Sequence, residues 1–188
     1  MKVAIHQPEH FPYLGFFEKM KQADLFVILD DVQYKKNNWQ NRNKFLNKNY
    51  VEEFFSVQVE KEATKKLINE VNVVEGPWRK KTIKKLQQNF NIDVSNIYSH
   101  NKLIDINMKS ITWARKILNI DKPIILSSSL SIKTKSTQRL VDICYKLVAT
   151  EYISGLGGKS YLNESLFKCK ITYFEPKLPN YYTIIQNI

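Results

Sequence analysis

The apolar and polar positions of this chain follow two alternating rhythms. Val3-Ala4-Ile5 is a short, largely β-branched run that breaks into a turn holding His6, Gln7, Pro8, Glu9, His10 and Pro12. Pro8 and Pro12 forbid a helix across that turn, and helical spacing then runs from Phe16 to Ala23. Asp24 to Asp31 sets the apolar run Leu25-Phe26-Val27-Ile28-Leu29 between carboxylates, the pattern of a strand buried on both faces of a parallel sheet. Residues 3 to 31 therefore read as a first βαβ unit. The stretch from Val32 to Lys44 is polar except for Val32, Tyr34 and Trp39, shows no period, and reads as a loop.

Val51 to Val59 reads as a strand that ends in alternation, and Pro77 at the first helical position with Trp78 behind it opens a helix to about Phe90. Asp105 to Leu118 is an amphipathic helix, with Ile106, Ile111, Ala114, Ile117 and Leu118 on or near one face. Trp113 reads as core. Pro123 to Ser127 is a short buried strand, and Leu140, Ile143, Cys144 and Leu147 mark a helix after it. Tyr152 to Ser154 is a further strand, closed by a glycine-rich turn. Asn163 reads as the cap of a short helix over 164–168, before a strand from Lys170 to Phe174. Strands alternating with helices predict an α/β fold, a three-layer sandwich around a mainly parallel sheet; with its His-containing first turn and the Lys135-Ser136-Thr137 helix start, it resembles Rossmann-like or nucleotidyltransferase-like folds. The 188 residues suffice for one well-buried core, so a single domain over 1–188 is expected.

Composition narrows the partner. The formal charge is +11, which favours an anion such as a nucleotide, a phosphorylated sugar, a nucleic acid or a membrane surface. Lysine pairs such as Lys65-Lys66, Lys80-Lys81 and Lys84-Lys85 also suit solvated helix faces. No nucleic-acid module is recognisable, so nucleic acid is not the expected partner. No run approaches the roughly 20 apolar residues of a membrane span, and the start lacks a signal peptide's apolar region, so a cytoplasmic protein without membrane insertion is expected. Cys144 and Cys169 lie far apart in sequence and match no metal or redox spacing; both read as reduced core residues.

Four groups of residues could carry chemistry. The first is His6, Gln7, His10, Tyr13 and Gly15, at a strand-to-helix turn of the kind where α/β proteins hold ligands. Its alternative is a hydrogen-bonded core histidine at His6 with His10 exposed in the turn; no metal site is expected, because no third ligand is evident. The second is Asp30 and Asp31 with Gln33, Lys35 and Lys36, which could bind sugar hydroxyls, hold Mg²⁺, act as a base, or cap the following segment. The third is Lys135, Ser136, Thr137 and Arg139 at a helix start, an anion cradle or an ordinary hydroxyl cap. The fourth is Ser154 to Tyr161, where Gly155, Gly157 and Gly158 allow close backbone approach, either to a ligand or within a tight turn. It is not a Walker A loop, since position 153 is Ile.

Taken in order, His6-Gln7-Pro8 with Pro12-Tyr13-Leu14-Gly15, Asp30-Asp31-Val32-Gln33, Asn41-Arg42-Asn43-Lys44, Trp78-Arg79-Lys80, Lys135-Ser136-Thr137 with Arg139-Leu140, and Tyr152-Ile153-Ser154-Gly155 with Gly158 and Tyr161 resemble the WbqC-like family. Pro179 to Ile185 is similar to the aromatic, proline-containing stretch with which that family continues. The resemblance implies a role in bacterial surface polysaccharide or O-antigen synthesis. A transferase acting on a nucleotide-linked amino sugar is expected, by N-acyl or aminoacyl transfer, and a non-catalytic subunit that binds a nucleotide or sugar nucleotide is the alternative. In the first reading His6, Asp30 and Asp31 are catalytic. Gln7, His10, Tyr13, Gln33, Asn41, Arg42, Trp78, Lys135, Ser136, Thr137, Arg139, Gly155, Gly158 and Tyr161 bind substrate. ATP or another nucleotide with Mg²⁺ is the cofactor class compatible with these residues; the sequence names none.

Overall fold

The computed structural model describes residues 1–177 and 180–188. Leu178 and Pro179 lie outside the described residues, and with Pro179 the first position of the C-terminal stretch noted above. In chain order the elements are β1 (Lys2–His6), α1 (Leu14–Gln22), β2 (Leu25–Ile28), β3 (Arg42–Leu46), β4 (Glu52–Ser56), α2 (Trp78–Phe90), α3 (Leu103–Ile117), β5 (Ile124–Leu126), α4 (Ser136–Lys146), β6 (Glu151–Gly155) and β7 (Lys170–Phe174), with short 3₁₀ turns between them. They fall into two compact units. One comprises Met1–Gln7, Gly15–Asp30 and Ile120–Pro179; the other Pro8–Leu14, Asp31–Asn119 and Asn180–Ile188.

The first unit is the expected α/β sandwich. Its five strands stand in the order β5-β2-β1-β6-β7, and every pairing is parallel. The step from β1 to β2 moves one way across the sheet and the step from β5 to β6 moves the other. Right-handed crossovers then put α1 and α4 on opposite faces, and the packing agrees. Val3, Ile5, Val27 and Tyr152 form one buried face with Leu140, Ile143 and Cys144 of α4. On the other face Phe16 of α1 meets Phe26 edge-on at 5.0 Å. Each such apolar side chain contributes roughly 1.5–3 kcal/mol when fully buried, which explains why short strands hold here.

The second unit holds α2, α3 and an antiparallel hairpin of β3 and β4, paired from Arg42↔Ser56 to Leu46↔Glu52. Its helices match expectation closely: α2 begins after Pro77 and ends where Asn91 takes a left-handed backbone, φ 54°, with its N–H donating to the Gln87 carbonyl. Asp105 in the first turn of α3 and Arg115 with Lys116 in the last complement its dipole.

Several expectations need correction. Arg42 to Lys44, the end of the polar stretch read as a loop, belongs to a strand, Arg42–Leu46; it alternates half-buried and buried positions, and its buried members are Asn43 and Phe45. The strand expected over 51–59 ends at Ser56, and Val59 makes only an isolated bridge to Val73. The helix expected over 164–168 is a single 3₁₀ turn, Glu164–Leu166, and Asn163 does not cap it. Its carboxamide oxygen accepts the Ser165 hydroxyl instead, at 2.7 Å. Cys144 and Cys169 are free thiols, as expected, and although distant in sequence both line one cleft. Among the described residues no helix is long and apolar enough to cross a membrane.

Candidate functional site

A doubly wound parallel sheet opens a crevice where its winding direction reverses, outside the carboxyl ends of the strands flanking that point. In the first unit those strands are β1 and β6, paired from Lys2↔Glu151 to Ala4↔Ile153. Beyond the pairing stand His6 and Gln7 on one side and Ser154 and Gly155 on the other. Asp30 follows β2, whose Ile28 pairs with His6. His6, Gln7, Asp30 and Gly155 thus share the carboxyl edge of one sheet.

His6 is half-buried, edge-on to Phe16 at 4.9 Å, and its Nδ1 lies 3.0 Å from the Gln7 carbonyl oxygen. A carbonyl only accepts, so Nδ1 carries the proton and Nε2 keeps the lone pair in the neutral ring. Burial, with help from the nearby Lys19 ammonium, lowers its pKa to about 3. The ring is therefore neutral at physiological pH. Lys19 itself is only 3% exposed; its Nζ donates to the Ile5 carbonyl at 3.1 Å and sits over the Phe26 ring. This lysine was missed in the sequence. The signal was present, because Phe16, Lys19 and Met20 fall on one stripe of α1, where a solvated cation does not belong.

Asp30 is buried, and its carboxylate receives the Ser127 hydroxyl at 3.1 Å, the Ser128 amide at 2.9 Å and the Ser128 hydroxyl at 2.7 Å. It clamps the turn after β5. Among the described residues no group of three or more His, Cys, Asp and Glu side chains comes together to hold a metal.

The third and fourth motifs also belong to this unit. Lys135 and Ser136 are exposed at the start of α4; Ser136 has φ 54°, and no side chain caps the helix. The Thr137 hydroxyl donates to the Tyr161 carbonyl at 3.3 Å. Arg139 turns inward, and its Nη1 donates to the Ile132 and Thr134 carbonyls at 2.9 and 3.0 Å. Gly158 is needed by the fold itself: a Cβ there would collide with the Ser154 hydroxyl and come within 3.0 Å of the Leu162 Cδ1. Gly155 meets no such obstacle, and Tyr161 is 63% exposed.

The remaining motif residues lie in the second unit. His10 is fully buried, not exposed in its turn, because Phe11, Phe55 and Tyr98 surround it at ring separations of 5.1, 5.3 and 5.6 Å. The Tyr98 hydroxyl lies 2.9 Å from its Nε2, and burial lowers the ring's pKa to about 3. Phe11 adopts φ 44°, a costly backbone for an aromatic residue. It is held there by its N–H on the Ser110 hydroxyl and by Asn43 Nδ2 and the Thr183 hydroxyl on its carbonyl. Tyr13 bridges to Thr183 and its ring meets Tyr181 at 5.7 Å. Asp31 is half-buried, and the exposed Gln33 donates to the Thr64 carbonyl at 2.7 Å. Asn41 is buried on the Val57 carbonyl, Arg42 lies over the Phe54 ring at 4.9 Å, and Trp78 is buried with its indole N–H on the Val74 carbonyl.

The model of the WbqC-like protein family matches residues 7–187. The chain belongs to this family. It is also similar to a Mycobacterium tuberculosis protein, "Uncharacterized protein Rv1507c", with 28% identity over 93% of this chain and 82% of that protein. No solved structure matches it. Seen on the fold, the WbqC-like motifs divide by place. His6-Gln7 and Ser154-Gly155 lie at the sheet's switch point, whereas His10 and Trp78 are built into the second unit's core.

Proposed function

We propose that this WbqC-like protein transfers an acyl or aminoacyl group to the amine of a nucleotide-linked amino sugar, for a bacterial surface glycan. The observation that carries this reading is the neutral His6 ring at the carboxyl end of β1, with Nδ1–H committed to Gln7 and Nε2 as its acceptor nitrogen. An amine that attacks an acyl carbonyl must lose a proton as the bond forms, and a neutral imidazole receives it. The buried Lys19 ammonium supplies positive potential suited to the diphosphate of a sugar nucleotide. An anion bound there raises the basicity of His6, since it offsets the charge that now lowers it. Asp30 shapes the rim by holding Ser127 and Ser128.

The second reading, a sugar-nucleotide binding subunit without its own chemistry, draws on the same site. A ring with a pKa of about 3 is a weak base until a ligand changes it, and the Asp30 carboxylate is already engaged. The test incubates the protein with nucleotide-linked amino sugars, ATP and a panel of acyl donors, followed by mass spectrometry. A mass increase of the sugar nucleotide that is lost in His6→Gln supports transfer. Saturable sugar-nucleotide binding that survives His6→Gln, with no product across the panel, selects the binding subunit.

A further inference from the structure

We propose that Cys144 and Cys169 form a reversible disulfide that ties α4 to the start of the edge strand β7, a modification independent of the reaction proposed above. Backbone bonds hold the two cysteines as neighbours: the Cys144 carbonyl accepts the Ala149 N–H at 2.9 Å, and the Thr150 carbonyl accepts the Lys170 N–H at 3.1 Å. One peptide bond joins Ala149 to Thr150, and another joins Lys170 to Cys169. Cys144 is buried in the apolar cluster of α4, Cys169 packs against that cluster from its edge, and both thiols are free. Burial, together with the adjacent Cys169 thiol, pushes the pKa of the Cys144 thiol up.

The pair is also reachable. Both cysteines line a cleft of about 690 Å³, whose outer wall includes the exposed Tyr145, Val148 and Leu166. Lys146 and Lys168 border the same cleft, with Lys168 over the Tyr145 ring at 5.5 Å. Those cations suit an anionic low-molecular-weight disulfide such as oxidised glutathione. The half-buried Cys169 attacks first: its thiolate displaces one glutathione thiolate and leaves a mixed disulfide. Cys144 then loses its proton and attacks the Cys169 sulfur, releasing the second glutathione. Two thiols are thereby oxidised, one glutathione disulfide is reduced to two thiols, and no other reactant is required.

The full chain is treated with oxidised glutathione, quenched with N-ethylmaleimide and weighed intact. The expected product is a monomer lighter by two hydrogen atoms, with no maleimide and no glutathione, whose protease digest joins the Cys144 and Cys169 peptides. Dithiothreitol restores two alkylatable thiols. Cys144→Ser treated in the same way keeps one glutathione on Cys169. Because the closed loop restricts only the unfolded chain, oxidation raises the thermal midpoint of the wild type by about 5–10 °C and leaves Cys144→Ser unmoved. Two maleimides on the oxidised wild type, glutathione retained on it, or a disulfide-linked dimer would each overturn the proposal.

Discussion

His6 and His10 stand four positions apart in the sequence, and both rings titrate at about 3 in the fold. Their surroundings differ in kind. His10 has no exposed surface and spends its ring on Phe11, Phe55 and Tyr98, so its low basicity is the by-product of a packed core. His6 is half-buried at the carboxyl edge of a parallel sheet, next to a buried lysine and edge-on to Phe16. A shifted pKa alone does not separate a histidine packed in a core from one set at the edge of a sheet; their neighbours do.

The comparison breaks most readily at His10. His10→Ala removes a ring from a close-packed aromatic cluster and strands the Tyr98 hydroxyl, so urea unfolding should show a loss of about 3–5 kcal/mol. A smaller loss would mean that the ring is not part of the core. Acid sharpens the same point. Unfolded histidines bind protons near pH 6.5, whereas both folded rings resist until about 3. Stability is therefore fully present above about 6.5 and is lost as the pH falls toward 3. The urea midpoint of the wild type should drop more between about pH 7 and about pH 5 than that of His10→Gln.

Gly158→Ala comes next. The added methyl collides with the Ser154 hydroxyl, and a loss of about 1–3 kcal/mol is expected. Much of it should be recovered when Ser154→Ala is added, because the obstructing oxygen is then gone; no recovery would refute the close approach. His6→Gln should cost at most about 1 kcal/mol in stability, yet reduce product formation at least tenfold, roughly the loss of one positioned base. That split between stability and function is the signature expected at the sheet edge and absent at His10. The smallest effect belongs to Lys85→Ala, which breaks a half-exposed ion pair with Glu53 at 2.8 Å. A change of about 0.5 kcal/mol or less in urea unfolding is expected.

Most elements of the first unit were legible because each carries its own periodicity. The run from Leu25 to Leu29 and the spacing of Leu140, Ile143, Cys144 and Leu147 depend on neighbours in sequence, as strand and helix burial do. The hairpin strand Arg42–Leu46 was not legible, since Asn43 is buried only because the His10 and Phe11 carbonyls lie within reach of its carboxamide. Lys19 was overlooked for a related reason: its place on the apolar stripe of α1 gains meaning only once the Ile5 carbonyl is set beneath it.

The sequence alone determined the alternation of strands and helices, the positions of the turns, the surplus of positive charge and the motif order of the WbqC-like family, all properties of residues close together along the chain. Tertiary structure alone decided that His10 is core, that Asp30 clamps Ser127 and Ser128, that Lys19 lies buried beside His6, and that Cys144 meets Cys169. Those outcomes depend on groups far apart in sequence, and a buried charge or thiol takes its character from whatever the fold sets against it.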